Sequence, residues 1–319
     1  MKKIVALLCA IILCISICAC NNEKTEEEKL SKSAESCQEL IQKIGEVTLD
    51  SEENITAAEQ AYNKLSDDDK KSIENSFKTL KDARSEYDQL VKQSNADIVV
   101  EAIDKIGTVS LDSESNINDA RTKYDELADE EKSLVSNYNN LETAESELKK
   151  LKDKEKENTY NKYKSKFDIE NDKVEGITWY YHDNMPEYID IRSYIIPYIG
   201  VRHNEPWICV RYNYTNDNWI FWNKLTIVAD GEKFYKTISS FDTVRDNEGG
   251  LVWEYYDEIF DVNAKMDSAD IKMLKAIAES DETIIRFEGD DYYYDLTVTN
   301  TDKNTIKDVL KIYSSLIKE

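Results

Sequence analysis

His182 and His203 are the only imidazoles in this 319-residue chain. Imidazole is the side chain best suited to take and return a proton near neutral pH, so a general base has two places to sit. Neither histidine belongs to an HExxH helix or lies near a cysteine pair, the spacings that set ligands around zinc. No serine occupies a GxSxG turn. Cys209 falls in an alternating strand pattern, away from the helix start that would stabilise a thiolate. The residue pattern predicts solvated loop histidines, no metal and no cofactor.

Carboxylates offer a second chemistry. Two of them flanking a glycosidic bond suffice for its hydrolysis, and Glu254 with Asp257, or Glu288 with Asp290, are near enough in sequence to be weighed. With 65 acidic residues, chance pairs are unavoidable. The run "EGDDYYYD" (288–295) carries oxygens suited to calcium but lacks the alternation and terminal glutamate of an EF-hand loop. An acidic turn is the expectation there.

Aromatic residues are the more informative set. All five tryptophans, all three prolines and fourteen of twenty tyrosines lie beyond residue 165. In "WICVRYNY" (207–214) strand alternation separates Trp207, Cys209 and Arg211 from Ile208, Val210, Tyr212 and Tyr214. In "NWIFW" (218–222) it separates Trp219 and Phe221 from Ile220 and Trp222. One face must be core, and the other still carries large rings. Rings beside polar groups stack on sugars or anchor protein partners, which makes Trp207, Trp219, Trp222, Tyr212 and Trp253 the candidate partner-binding residues.

The elements that position them follow from periodicity. Beyond residue 165 the chain reads as short runs of β-branched and aromatic residues, such as "GITWYYH", "SYIIPYIGV", "KLTIVA" and "TIIRFEG". Asp230-Gly231 and "DNEGG" (246–250) supply tight reversals. One helix is expected near 268–279, and a last amphipathic one carries Ile306, Val309, Leu310, Tyr313, Leu316 and Ile317. Successive hairpin-linked strands predict a mainly antiparallel α+β domain over 167–319 with the C-terminal helix packed on it. This segment resembles an uncharacterised domain of bacterial and phage proteins, through "DKVEGITWYY", "PWICVRYNY", "DNWIFW", "WEYYD" and "IRFEGDDYYYDLTVT". That resemblance implies a fold and no activity.

Upstream, "KIGEVTLDSEENI" from Lys43 returns as "KIGTVSLDSESNI" from Lys105. The match continues through Tyr62 with Tyr124, Leu65 with Leu127 and, one residue out of step, Phe77 with Tyr138. Leu30, Ala34, Cys37, Ile41 and Ile44 mark one face of a first helix. Gly45 and Gly107 stop that helix in each copy, where a left-handed residue is needed. Ser51 and Ser113 are expected to cap a second helix carrying Ile55, Ala58, Tyr62 and Leu65, and "SDDDK" opens a third. Three amphipathic stripes bury one another, so two tandem three-helix modules are expected, at 30–92 and 93–152. Between them no Gly or Pro interrupts the pattern, although Ser94 and Asn95 argue for a break. The pattern "IGxVxLxSExxIxxAxxxYxxL" resembles a helical repeat of Gram-positive, especially clostridial, surface proteins. It implies a spacer and carries no catalytic residue. Alternating charges at 153–166 predict a solvated helical linker.

The first nineteen residues read as a secretory signal, with Lys2 and Lys3 ahead of an apolar run too short to span a bilayer comfortably. Its end, "ICAC", resembles the lipobox of bacterial lipoproteins, which implies lipid attachment at Cys20 and a tether over 20–29. Two acyl chains give stable anchoring. Cys37 and Cys209 are then the remaining thiols, too few for a disulfide framework. A formal charge of −24 repels nucleic acid. The expected protein is therefore a non-enzymatic lipoprotein of the cell membrane, facing outward, whose helical spacer displays a binding domain for a protein or a wall glycan. A wall-active two-carboxylate glycoside hydrolase and a surface inhibitor or immunity protein are the alternatives.

Overall fold

The computed structural model describes residues 30–239 and 241–317. The signal segment and Cys20 lie outside them. A helical N-terminal region precedes a mostly antiparallel β domain that ends in a helix. Among the described residues no helix is long and apolar enough to cross a membrane. Contacts divide the described residues into two compact units, one from 30–104 with 120–138 and one from 105–119 with the described residues from 139 onward.

In the first unit, α1 (Lys32–Ile44) starts on Ser31, whose Oγ accepts from the Ala34 amide at 3.1 Å. It ends at Gly45, with φ 64° and ψ −138°. That is not the left-handed helical region but another positive-φ conformation that favours glycine. Ser51, expected to cap the next helix, does something different. Its Oγ accepts from the Thr48 amide at 2.9 Å, closing a 3-10 turn over Leu49–Ser51 ahead of α2 (Glu52–Asn63). Ser113 bonds the Ser110 amide in the same way at 3.0 Å. The expected third helix is also split. A short α3 (Asp67–Ser72), capped by Ser66, gives way at Ile73 to α4 (Glu74–Asp104).

Helices α1, α2 and α4 bury Ala34, Cys37, Ile41, Ile55, Ala58, Leu80 and Ala83 in one core, with Tyr62 and Phe77 stacked against it at 3.8 Å. Their counterparts Tyr124 and Tyr138 stack at 4.2 Å, so the repeat persists at the level of a ring contact. Helix α4 runs unbroken through Ser94 and Asn95. Asn95, read as a breaker, instead donates sideways to Glu131 at 2.7 Å. Leu80, Ala83 and Tyr87 are buried in its first half and Ala96, Val99 and Ile103 in its second. At 3.6 residues per turn the two triplets stand about 160° apart, so the helix buries nearly opposite sides in its two halves.

The second unit contains α5 (Glu114–Glu126) in part and α7 (Tyr138–Tyr163) from Asn139; α6 (Asp129–Lys132) belongs to the first. Helix α7 carries through the charged stretch and, after a 3-10 turn, feeds the β domain at Phe167. There β1 (Phe167–Asp172), β2 (Ile177–His182), β3 (Tyr194–Arg202) and β4 (Glu205–Asn216) form consecutive antiparallel neighbours. Strands β5 (Lys224–Ala229) and β6 (Glu232–Thr237) pair across Asp230-Gly231, both at positive φ as a tight hairpin requires. Strands β7 (Val244–Glu248) and β8 (Leu251–Ile259) pair across Gly249-Gly250 and join the first sheet beside β4. After α8 (Ala269–Glu279), β9 (Thr283–Glu288) and β10 (Tyr293–Thr297) complete a second sheet with order β10-β9-β5-β6, and α9 (Asn300–Leu316) closes the domain.

The inner faces of both sheets and the apolar stripes of α8 and α9 share one core, including Ile199, Val210, Leu225, Phe287, Leu274 and Val309. Pro197 sits inside β3 without loss. Strand β2 pairs β3 only at residues 199–202, so Pro197 has a strand neighbour on the β4 side alone.

The continuity of α4 is testable at Ser94. Proline there removes a helical hydrogen bond and clashes with the preceding turn, at about 3 kcal/mol. Ser94→Pro should lower the midpoint of the helical unfolding transition by circular dichroism; an unchanged midpoint would place a natural break at that residue.

Candidate functional site

Sheet alternation assigns the candidate residues to different environments. Trp222 and Tyr212 are 0% exposed. Tyr212 faces the shared core from β4, its hydroxyl donating to Glu258 at 2.8 Å. Trp222 packs edge-on against Phe287 at 5.2 Å. Both are core residues and offer no ring to a partner, which corrects the expectation for them. Trp207, Trp219 and Trp253 are half-buried and lie at the surface.

Trp222 is held by an arrangement that sequence reading did not find. The segment expected as the strand "NWIFW" is not a strand. It turns at Phe221, whose φ of 52° is unusual for a bulky side chain. Glu254, from β8, is itself 0% exposed and supplies the reason. One carboxylate oxygen accepts from the amides of Ile220 and Phe221, each at 2.8 Å. The other accepts from the Trp222 amide at 3.1 Å and from Arg245 Nε at 3.1 Å. The Trp222 indole returns a bond to the Glu254 carbonyl at 3.2 Å. Gly289 makes room, because a Cβ there would stand 1.9 Å from the Ile220 carbonyl oxygen. Burial still alternates as expected: Ile220 and Trp222 point in, while Phe221 is 57% exposed and stacks on Trp219 at 5.8 Å.

The carboxylate pair Glu254 and Asp257 is therefore divided between the two faces of one strand. Asp257 points outward and takes a bidentate bond from Arg211, at 2.8 and 2.6 Å. A carboxylate locked by three amides and a guanidinium has no free lone pair for a substrate. Glu288 faces Lys224 at 3.6 Å, and Asp290 accepts from Asn223 at 3.4 Å.

Of the two histidines, His203 is the exposed turn residue expected, and His182 is not. His182 is buried at the end of β2. The Asn184 amide donates to its Nδ1 at 3.1 Å, so Nε2 carries the hydrogen that Asp308 of α9 accepts at 3.2 Å. This contact joins sheet to helix. His203 forms the two-residue turn between β3 and β4 with Asn204, both at positive φ. Among the described residues no three His, Cys, Asp or Glu side chains gather as a metal site.

The outward face of the six-stranded sheet holds a second group of rings. The two-residue turn sets Arg202 opposite Glu205 and Gly200 opposite Trp207. A Cβ on Gly200 would stand 2.3 Å from the Trp207 ring, so glycine lets that indole lie against the backbone. Trp207 meets Trp179 edge to face at 5.7 Å and 82°. Tyr198 lies 5.7 Å from Trp179 and 5.3 Å from Tyr181. Below them Cys209 is a free, buried thiol, and burial pushes its pKa up to about 11. A cavity of about 490 Å³ opens beside the two indoles, lined also by Ile177, Arg202, His203, Glu205, Ile259 and Val262. Sequence reading placed Trp207 on this face but not Trp179, Arg202 or Glu205, because their convergence depends on a hairpin with no glycine to announce it.

Two outcomes follow from these contacts. Glu254→Gln turns an amide NH2 toward donors that need an acceptor, so stability should fall by about 3 kcal/mol in denaturant unfolding, with loss of near-ultraviolet tryptophan ellipticity. At pH 8 only about one Cys209 in a thousand is thiolate. Iodoacetamide should leave Cys209 unmodified in native protein, by mass spectrometry, and alkylate it in urea.

Comparison of the chain with protein-family models, with curated proteins and with solved structures finds no match, and the outward aromatic face is read from its own chemistry.

Proposed function

We propose that this protein is an extracytoplasmic lipoprotein that binds a protein or glycan partner and catalyses no reaction. In this reading Cys20 carries the lipid and holds the chain on the outer side of the cell membrane. Tandem three-helix modules over 30–92 and 93–152 act as a spacer, and the β-rich domain is the binding head. The observation that carries the reading is the outward face of the six-stranded sheet, where Trp179, Tyr181, Tyr198 and Trp207 cluster beside a cavity instead of joining the core. Aromatic anchors of this kind concentrate binding energy in few residues. Trp253 and Trp219 add rings elsewhere on the domain surface. The acidity of the chain supports a partner other than nucleic acid.

The strained Phe221 turn favours a second reading, a surface inhibitor or immunity protein. Its exposed ring is stacked on Trp219 and its amide is held by a buried carboxylate, and rigid strained turns of this sort recur at binding sites.

Expression with an alkyne-bearing fatty acid tests the anchor. The parent chain should be labelled, sediment with membranes and be cleaved by protease added to intact cells. Cys20→Ala should lose the label and appear in the soluble or precursor fraction. Equal labelling of both chains would remove Cys20 from the lipid site.

A further inference from the structure

We propose that the cavity beside Trp179 and Trp207 is a saccharide-binding site that takes a neutral, ring-shaped sugar of an oligosaccharide chain; this rests on reading the outward sheet face as a binding surface. The two indoles stand at 82°, so one can lie under a ring while the other walls its side. A pyranose has the matching anatomy, with a C–H face that stacks on an aromatic plane and an equator of hydroxyls.

The rim fits that equator. Arg202 and Glu205 are register partners flanking the His203-Asn204 turn, so a donor fork and an acceptor carboxylate stand side by side over the indoles. A hydroxyl both donates and accepts, and a vicinal pair of them can use one group of each kind. Arg202 is also under-used. Its Nη2 reaches Glu175 at 3.2 Å, while its Nε has no hydrogen-bond partner. Buried polar atoms are seldom left this way, and a ligand that draws the guanidinium over the cavity supplies the missing acceptor.

Charge and size narrow the class. Arg202 pairs with Glu175 and faces Glu205, so the rim has no positive excess to draw an anion, and the −24 chain disfavours anionic ligands as well. A volume of about 490 Å³ lies within the range of small-ligand sites and accommodates one or two sugar rings. Gly200 is part of the device. A Cβ there would collide with both indoles, 2.3 Å from the Trp207 ring and 2.9 Å from the Trp179 ring.

The test titrates the purified full-length chain with neutral tetraoses, cellotetraose and tetra-N-acetylchitotetraose, following tryptophan fluorescence and heat. Dextran sulfate serves as the anionic control. At least one neutral tetraose should bind, with affinity reduced about tenfold or more in Trp207→Ala and in Trp179→Ala. Arg202→Ala lies on the surface and keeps the fold, so it should weaken binding even if a tryptophan variant fails to fold. Tyr235→Ala, on the other sheet, should bind as the parent does. No response to either tetraose, or equal affinity in the parent and Arg202→Ala, overturns the assignment. A photo-crosslinking residue at position 207, applied to intact cells, separates the two levels of the reading. Silent sugars with a protein adduct at 207 would end the saccharide assignment and leave a binding face. Silent sugars and no adduct would end both.

Discussion

The β domain is organised around one buried carboxylate. Taking Glu254 out of water is tolerable only if every lone pair it turns inward finds a donor, and the fold supplies three backbone amides and Arg245. Meeting that demand bends residues 219–222 into a conformation that Phe221 would not choose, and Gly289 has to be bare for the bend to fit. The same contact fixes Trp222, the largest fully buried side chain, between the sheets. The placing of Trp222 in the core and the exposed strained turn thus share a single electrostatic requirement. Isolated carboxylates are rarely buried, and this one is not isolated.

The six-stranded sheet uses its two faces differently. Its inner face interlocks with the second sheet and two helices through aliphatic and aromatic side chains. Its outer face settles its own rings. Trp207 rests on Gly200, Tyr198 fills the space between Trp179 and Tyr181, and Arg211 lies over Tyr255 at 4.9 Å while paired to Asp257. Beneath this ring-on-ring packing Ile196 and Cys209 are buried. The price is a surface that stays partly apolar, and apolar surface ringed by polar groups is what recognition sites are made of.

Much of this was legible from residue patterns. The stripes of α1 and α2, the positive-φ glycine at 45, the Asp230-Gly231 and Gly249-Gly250 reversals, the alternation in 207–214 and the last two helices all follow from local rules. The failures share a cause. Ser51 is a good cap by type, but Thr48 and a 3-10 turn compete for its hydroxyl. Ser94 and Asn95 read as breakers because propensity is weak beside lateral bonds such as Asn95 to Glu131. His182 is buried because α9, 126 residues later in the chain, brings Asp308 to it. Trp222 and Tyr212 could be assigned to a face but not to a side of the domain, since that depends on which face the second sheet covers. Glu254 looks like any other strand acid among 65. Apart from Arg245, its partners lie more than thirty positions upstream and are backbone amides, which leave no mark in a sequence.

An unbroken α4 also has a rotational phase. Because its two buried triplets belong to one rod, inserting a single residue between Tyr87 and Ala96 would swing the later triplet by about 100° about the axis and drive its apolar side into solvent. Length changes in that stretch are tolerable only in steps near a whole number of turns, three or four residues or seven. Chains built on the same plan should differ there by those increments, much as gear teeth admit no fractional offset.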